Sequence, residues 1–542
     1  MKESTEAAII DFNGINIVRK NGNTNNKSLV PSIKPTNVEG HYPRFMLHGA
    51  VNLLHEDVRE LSIILESFLP YLNRIGIELN EISPLIKEII TGTEIFRRLK
   101  GVSQVELLPF AFKQVPWFTR YTHSCLTYVF ADHVLTKLVP KLNLNKNDTY
   151  LEAAKLCFLI HDLGHGPFSH LTERAFKKPK GKGGKIPKEY DHEYWTKVLL
   201  SELKDTLFEA NNNPYLISHT NNLENKNVAV FTKAIEIISK EHTNVVSQLL
   251  SSQIDLDRLS NYLGDRLVVN AILEEDDVKS EDMIKHLSSF NDVVDNIKRI
   301  MNNFVILEID ENNNKCEPYL AIHEDAANPI IHYLLDRHII RYYLLKHYRR
   351  ETANNLLEKI LLRSQALVRN NQLDALGKTD LLVQMWLFGN HTDAEFVNMD
   401  DQLVFNQIRK WSKHTNDPIL HDLTLRFTAH NFFCAYSCEK DGKPAKPSKD
   451  QIEKAKDKVV KNFNGKVKTN EDDSLSDYYF TYDETTSKPY HIDKDEIIVY
   501  TSSNKIQRLS KYIKETDNEI GKLLLNNEFE RYLFIVPSEV HL

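Results

Sequence analysis

The stretch TYLEAAKLCFLIHDLGHGPFSH (149–170) decides how this chain is read. Its first half repeats apolar residues at three- and four-residue steps and stops at Gly164, which predicts an amphipathic helix over 149–163. Its second half sets His161, Asp162, His165 and His170 within ten residues. The adjacent His161 and Asp162 offer a soft nitrogen and a hard oxygen, a donor pair that suits a divalent transition metal such as Mn, Fe, Co, Ni or Zn. Gly164 and Gly166 are expected to let the chain turn tightly, so that the later histidines face the same site.

Working outward, the helical spacing recurs in LLHEDVRELSIILESFLPYL (53–72), in SCLTYVFADHVLTKLV (124–139) and twice within 329–369. Glycine and proline are sparse inside these segments, so the fold is predicted to be mainly α through about residue 390. NNFVILEIDENNNKCEPYL (302–320) reads instead as a strand, a polar turn and a second strand. KKPKGKGGKIPK (177–188), with six lysines, three glycines and two prolines, is predicted to be a loop, either a solvated insertion or a lid over phosphate. Residues 1–40, with the polar run NGNTNN (21–26), read as a flexible N-terminal arm. Beyond about 391 the pattern changes. In DYYFTYDETTSKPYHIDKDEIIVYTSSNKIQRLS (477–510), aromatic and β-branched runs split by turn residues predict a smaller mixed α/β region.

The 542 residues are 41% hydrophobic and 26% charged, the balance of an ordinary globular protein. The net charge of −7 argues against stable binding of long nucleic acid. No apolar run reaches the roughly 18 residues that span a bilayer, and the start MKESTEAAIIDFNG lacks the apolar core of a secretory signal. Five scattered cysteines build no disulfide framework, and a cytoplasmic location is expected.

A metal needs more than two protein ligands. RYTHS (120–124) opens the preceding helix and offers His123, while QIDLDRL (253–259) places Asp255 and Asp257 in an apolar helix. Two residues apart on a helix they diverge, so only one of them faces a given site. A buried carboxylate there needs a partner, either a metal or a salt bridge to Arg258 or Arg266. An HD dipeptide alone means little, and the second copy, His421-Asp422, reads as solvated or capping. His430, Cys434 and Cys438 recur at four-residue steps and read as one helical face, more readily core than zinc site. Tyr342, Tyr343 and Tyr348 fit either base stacking or helical core packing.

HDLGHGPFSH, preceded by RYTHS and followed by DLDR, resembles the deoxynucleoside triphosphate triphosphohydrolases of the HD superfamily, the group of the SAM-and-HD-domain protein and the bacterial dGTPases. The resemblance spans about 80–370, through IELNEISPLIKEIITGTEIFRRLKGVSQ (77–104) and RHIIRYYLLKHYRRETANNLLEKILLRS (337–364). It implies an HD-domain helical core over 41–390, with 391–542 as a C-terminal oligomerisation or regulatory region. His123, His161, Asp162 and Asp257 would hold one divalent metal (Mn, Fe, Mg, Co, Ni or Zn). His165 would serve as catalytic acid or base near neutral pH, supported by His170, Glu173 and His192; the family commonly has Asp at the position of Glu173. Arg120, Arg258 and Arg341 would contact phosphate, and Gln104 the sugar 3′-hydroxyl.

The implied reaction is water attack at the α-phosphate of a dNTP, releasing deoxynucleoside and inorganic triphosphate. A homo-oligomer with a dNTP or NTP effector is also implied. The chain departs from the family at Ser260-Asn261, where an Asp-Tyr pair is usual and the tyrosine packs on the deoxyribose; Tyr262 comes one place late. Leu345 stands where a phosphate-contacting His is often found. Two other classes use similar residues: an HD phosphodiesterase or nuclease on oligonucleotides or other nucleotides, and a nucleotide sensor without turnover. The GHGPFSH continuation argues against cyclic substrates, and intact His165, His170 and His192 argue against a pure sensor.

Overall fold

Ala153, Ala154 and the run from Leu156 to Ile160 are buried, with only Lys155 between them partly exposed, so the C-terminal half of the helix they form is enclosed on nearly all sides and belongs in the core of the molecule. A computed structural model describes residues 9–12, 15–19, 61–112, 115–138, 148–176, 187–208, 225–239, 245–273, 282–309, 317–463, 467, 474–492 and 496–542. Among these, helix α1 (Arg120–Leu138) packs against α2 (Asp148–Ile160), the central helix. Short α3 (His170–Phe176), then α4 (His192–Phe208) and α5 (Leu256–Ile272) follow, with α5 against α1. Next come α6 (Ala327–Ile339), a π-helical turn over Ile340–Leu345, and α7 (Tyr348–Arg369). Helices α8 (Asp401–His414) and α9 (Pro418–Thr428) pack on each other and lead into the C-terminal strands. The fold is mainly α with small sheets, as the spacing predicts.

One sheet runs in the order β1 (Ile9–Phe12), β2 (Ile15–Arg19), β5 (Cys434–Lys440), β10 (Phe529–Val536), β7 (Thr481–Ser487), with the short β6 (Lys443–Pro444) also paired to β5. The expected hairpin at 302–320 is present as antiparallel β3 (Phe304–Ile309) and β4 (Glu317–His323). It is extended by β8 (Ile498–Tyr500), parallel to β4, and β9 (Ile506–Arg508).

Several expectations change. Helix α2 ends at Ile160, so His161 and Asp162 lie in the turn after it. Cys434 and Cys438 lie on a strand, not a helix, and His430 is exposed at a left-handed φ of 53°, so no shared helical face exists. In the second HD copy His421 is exposed, as expected, whereas Asp422 is neither solvated nor a cap: it is half-buried within α9 and lies 2.8 Å from Arg426, which also reaches Glu539. Part of the expected N-terminal arm, Ile9–Phe12 and Ile15–Arg19, is a hairpin whose second strand pairs with β5. The rest of 1–40, and the lysine-rich loop apart from Pro187 and Lys188, lie outside the described residues.

Two hydrophobic cores result. The first runs from Leu61 to Leu344 and is rejoined by Tyr490, Ile497, Val499, Leu509, Ile513 and Leu524. The second takes Phe168, Leu171 and Ala175 together with α7, α8, α9 and strands β5 and β10. The cores interleave along the chain: Leu107, Phe168 and Tyr190 belong to the second and Phe396 to the first, and His391 is buried in a stack with Trp195 and Phe396.

Candidate active site and metal centre

The segment 161–170 lies in the seam between these cores. Its tight course depends on one glycine and two unusual side-chain-bearing residues. A Cβ on Gly164 would come within 2.1 Å of the His192 carbonyl oxygen and 2.2 Å of the Thr196 nitrogen, so only glycine lets α4 approach. Gly166 has no such need, since a Cβ there would meet Phe396 only at ordinary contact distance. The left-handed positions are instead Phe168 (φ 56°) and Ser169 (φ 52°). Each costs on the order of 1 kcal/mol or more and persists only where surroundings impose it. Here the Asp401 carboxylate accepts from Phe168 N at 2.6 Å and from Ser103 N at 2.9 Å, while Ser169 Oγ donates to the Ser103 carbonyl at 2.6 Å.

Two clusters meet at this segment. In the first, Asp257 Oδ1 lies 2.9 Å from His123 Nε2 and 3.3 Å from His161 Nε2, and Asp162 lies 3.5 Å from each histidine. The Phe158 carbonyl lies 3.0 Å from His161 Nδ1; accepting its proton leaves Nε2 as the inward donor atom, the arrangement that orients metal-binding histidines. His123 Nε2 is buried and has no well-formed hydrogen bond. An orphaned nitrogen aimed between two carboxylates fits a cation, so the N₂O₂ donor set suits a divalent metal. Burial works against charge on His161, but Asp162 and Asp257 outweigh it and raise its pKa to about 9. The acid pair divides, though not by divergence along a helix as expected, because Asp255 is the extended N-cap residue and only Asp257 is helical. Asp255 caps α5, accepts from Arg258 N at 2.6 Å and pairs with the Arg258 side chain, whereas Asp257 faces the histidines.

The second cluster is organised by Glu173. Its two oxygens lie 3.0 Å from His170 Nδ1 and 2.7 Å from His192 Nδ1, and His165 Nδ1 is 3.7 Å away. The His165 and His192 rings stack at 4.3 Å and 8°, with His170 edge-on to both. Burial, Arg120 and His192 hold the His165 imidazole well below its ordinary pKa, so His165 is neutral rather than titrating near neutrality. Burial raises the Glu173 carboxyl, but hydrogen bonds from His170 and His192 overcome this and keep it ionised. His165 Nε2 lies 3.4 Å from Asp162 Oδ1, which joins the two clusters.

Both clusters open into a cleft of about 590 Å³. All the predicted site residues line it except His123 and His161, which sit behind Asp257 and Asp162. Arg120 lines it while donating to Asp162 at 2.6 Å and Ser169 at 2.9 Å. Gln104 donates to Asn261 Oδ1 at 2.8 Å, and Asn261 donates to Asp257 at 3.1 Å. Asn261, which stands where the triphosphohydrolases this chain resembles have a tyrosine, thus braces the His/Asp cluster. Tyr262 does not replace that tyrosine, because it is buried and its hydroxyl bonds Asp336. Tyr342 and Tyr343 pack around Phe529.

Against known proteins, no family model matches this chain. It is 24% identical over 354 residues to the uncharacterised protein YwfO of Bacillus subtilis, which covers 64% of this chain and 67% of that one. It is 25% identical over 465 residues to the uncharacterised protein MG461 of Mycoplasma genitalium, 82% and 92% of the two chains. A 100-residue segment is 36% identical to the deoxynucleoside triphosphate triphosphohydrolase SAMHD1 of Gallus gallus, covering 18% of this chain and 16% of that protein. A phosphohydrolase of Bacteroides thetaiotaomicron superposes with a TM-score of 0.61 over 84% of this chain and 96% of its own, at 19% identity. The fold is shared with that phosphohydrolase. No helix among the described residues is long and apolar enough to cross a membrane.

The cleft holds more than the sequence predicts. Arg174, Arg337, Lys346 and Arg350 add positive charge, and Glu106 and Asp265 add carboxylates. Glu106 grips Arg174 at 2.7 Å and also pairs with Arg350, so these two cations are structural. Arg337 was findable, being one helical turn before Arg341. Glu106 and Arg350 were not, because 244 residues separate them.

Proposed function

We propose that this protein is a metal-dependent phosphohydrolase that converts dNTPs to deoxynucleoside and inorganic triphosphate. The observation that carries the reading is the joining of the two clusters: a buried His/Asp set suited to a cation directly abuts a carboxylate-wired histidine trio, at the floor of a cleft rich in arginine. The phosphohydrolase of shared fold supports the broader class, and the SAMHD1 segment supports the nucleotide substrate.

His123, His161, Asp162 and Asp257 would hold the divalent cation, which supplies Lewis acidity toward the phosphoryl oxygens. Arg258 and Arg341 hold the phosphate tail. Arg120 lends positive charge beside the α-phosphate, where charge grows in the transition state. Water attacks the α-phosphorus, a new P–O bond forms and the P–O5′ bond breaks, so inorganic triphosphate leaves with the water's oxygen. Neutral His165 accepts the proton of the attacking water. His192 and His170, hydrogen-bonded to ionised Glu173, return a proton to the departing 5′-oxygen.

Product analysis by mass tests this. With manganese or magnesium, each dNTP is expected to give deoxynucleoside and inorganic triphosphate. Monophosphate plus pyrophosphate would overturn the reading, since the leaving group would be different.

A further inference from the structure

Beyond the catalytic cleft lies a smaller room of about 170 Å³, and the two share Arg258, Arg337 and Arg341 as a common wall. The charge of this room is one-sided. Its lining adds one further cation, Lys488, and the imidazole rings of His338 and His491, and contains no carboxylate. Arg337 and Arg341 have no ion-pair partner among the described residues; each lies near a tyrosine ring, at 5.5 and 5.8 Å. Burial lowers the Arg341 pKa, so its charge is held at a cost. Asp255 and Asp265 act on these arginines from outside the room, but no carboxylate lines it, so its walls are net positive and an anion placed between them relieves the repulsion of like charges.

Lys488 comes from a different part of the chain, a strap that is tied down on three sides. It follows directly on β7, which ends at Ser487 paired with Phe529. Tyr490, 3% exposed, plugs into the first core and its hydroxyl accepts from Ile497 N at 3.0 Å. Gln253 donates to the His491 carbonyl at 3.0 Å and accepts from His491 N at 3.4 Å. Gln253 lies four residues before Asp257, so the strap is fastened to the segment that carries the metal-facing carboxylate and Arg258. Pro489 stiffens the link between the two anchors. Lys488 itself is exposed and has no carboxylate partner among the described residues.

We infer that this room is the outer end of the substrate site, an anion subsite capped by Lys488, which takes the terminal phosphate of a polyphosphate tail. This rests on the triphosphohydrolase reading above. The strap thereby makes the C-terminal region a direct contributor to substrate binding, and selects for ligands with at least three linked phosphates over those with one.

The test uses full-length Lys488→Gln and Lys488→Arg. Inorganic tripolyphosphate and orthophosphate are titrated by calorimetry, and dNTP turnover is followed by product mass. Loss of one charge-assisted contact is expected to weaken tripolyphosphate binding and raise KM by about tenfold in Lys488→Gln, with a much smaller change in kcat. Orthophosphate binding should move little, and Lys488→Arg should restore most of both effects. If the wild-type protein hydrolyses dNTPs but Lys488→Gln matches it in KM and tripolyphosphate affinity, the subsite is wrong and the substrate reading stands. If the wild-type protein binds tripolyphosphate through Lys488 but hydrolyses no dNTP, the subsite stands and the substrate reading fails.

Discussion

Glu173 shows how much one side chain organises. It is largely buried, and its two oxygens face the rings of His170 and His192. Glu173→Gln removes the charge while keeping the shape. We expect kcat to fall by roughly 100-fold or more, the usual scale for lost acid–base catalysis, with metal content unchanged. Elemental analysis alongside turnover checks this. The four donors His165, His170, Glu173 and His192 also lie within 4.8 Å of one another, so loss of metal from Glu173→Gln would place it in a metal set instead. A stoichiometry near one, abolished by His161→Ala and retained in His192→Ala, is the expected pattern. Asn261 gives a second residue-scale prediction. A short amide braced between Gln104 and Asp257 offers no ring to pack on a sugar, so kcat/KM for dNTPs should exceed that for the matching NTPs only modestly. A preference above about 1000-fold would contradict this, because it exceeds what one missing apolar contact ordinarily gives. The histidines and aspartates were legible in the sequence because their chemistry is local, with donor types crowded at short spacing. The neutral state of His165 was not legible, since Arg120 and His192 reach it only through the fold.

At the scale of elements, helices read well and the loop between them did not. The apolar spacing locates α1 and α2, and alternation locates β3 and β4. The spacing of His430, Cys434 and Cys438 misled, because four-residue steps share a face on a strand as well as on a helix. The course of 165–170 depends on Asp401, 231 residues beyond the end of that segment and 1% exposed. Asp401→Ala leaves Phe168 N and Ser103 N buried without an acceptor, at about 1–3 kcal/mol for each. It also releases the two left-handed residues that aim His170 and Glu173. The expected result is a lower urea midpoint together with reduced turnover, with metal still bound by the other cluster. An Asp401→Ala protein with native stability and full activity would show that the loop holds itself.

For the whole molecule, packing runs across the point near 391 where the sequence pattern changes. His391 sits 8% exposed, stacked on Trp195 at 4.9 Å and beside Phe396 at 5.6 Å. Strand β8 returns from the C-terminal region to pair with β4, which no local pattern announces. The consequence is measurable as acid sensitivity. Burial lowers the pKa of His391, and likewise of His338, to about 4, while an unfolded histidine titrates near 6.5. Below pH 6.5 the unfolded chain therefore takes up protons that the folded chain refuses. The stability these neutral rings allow is complete above about pH 6.5 and is lost progressively as pH falls toward 4. At pH 5 each histidine alone should remove on the order of 2 kcal/mol. His391→Phe keeps a stacking ring and cannot protonate, so its urea midpoint should fall less between pH 7.5 and 5 than that of the wild-type protein. Because Trp195 lies on the helix that presents His192, protonation of His391 should also loosen that helix, and the wild-type protein should lose histidine-cluster activity before it unfolds globally. Parallel pH profiles of turnover and of tryptophan fluorescence in wild type and His391→Phe decide the matter: superimposable profiles would mean that His391 does not link the seam to the site.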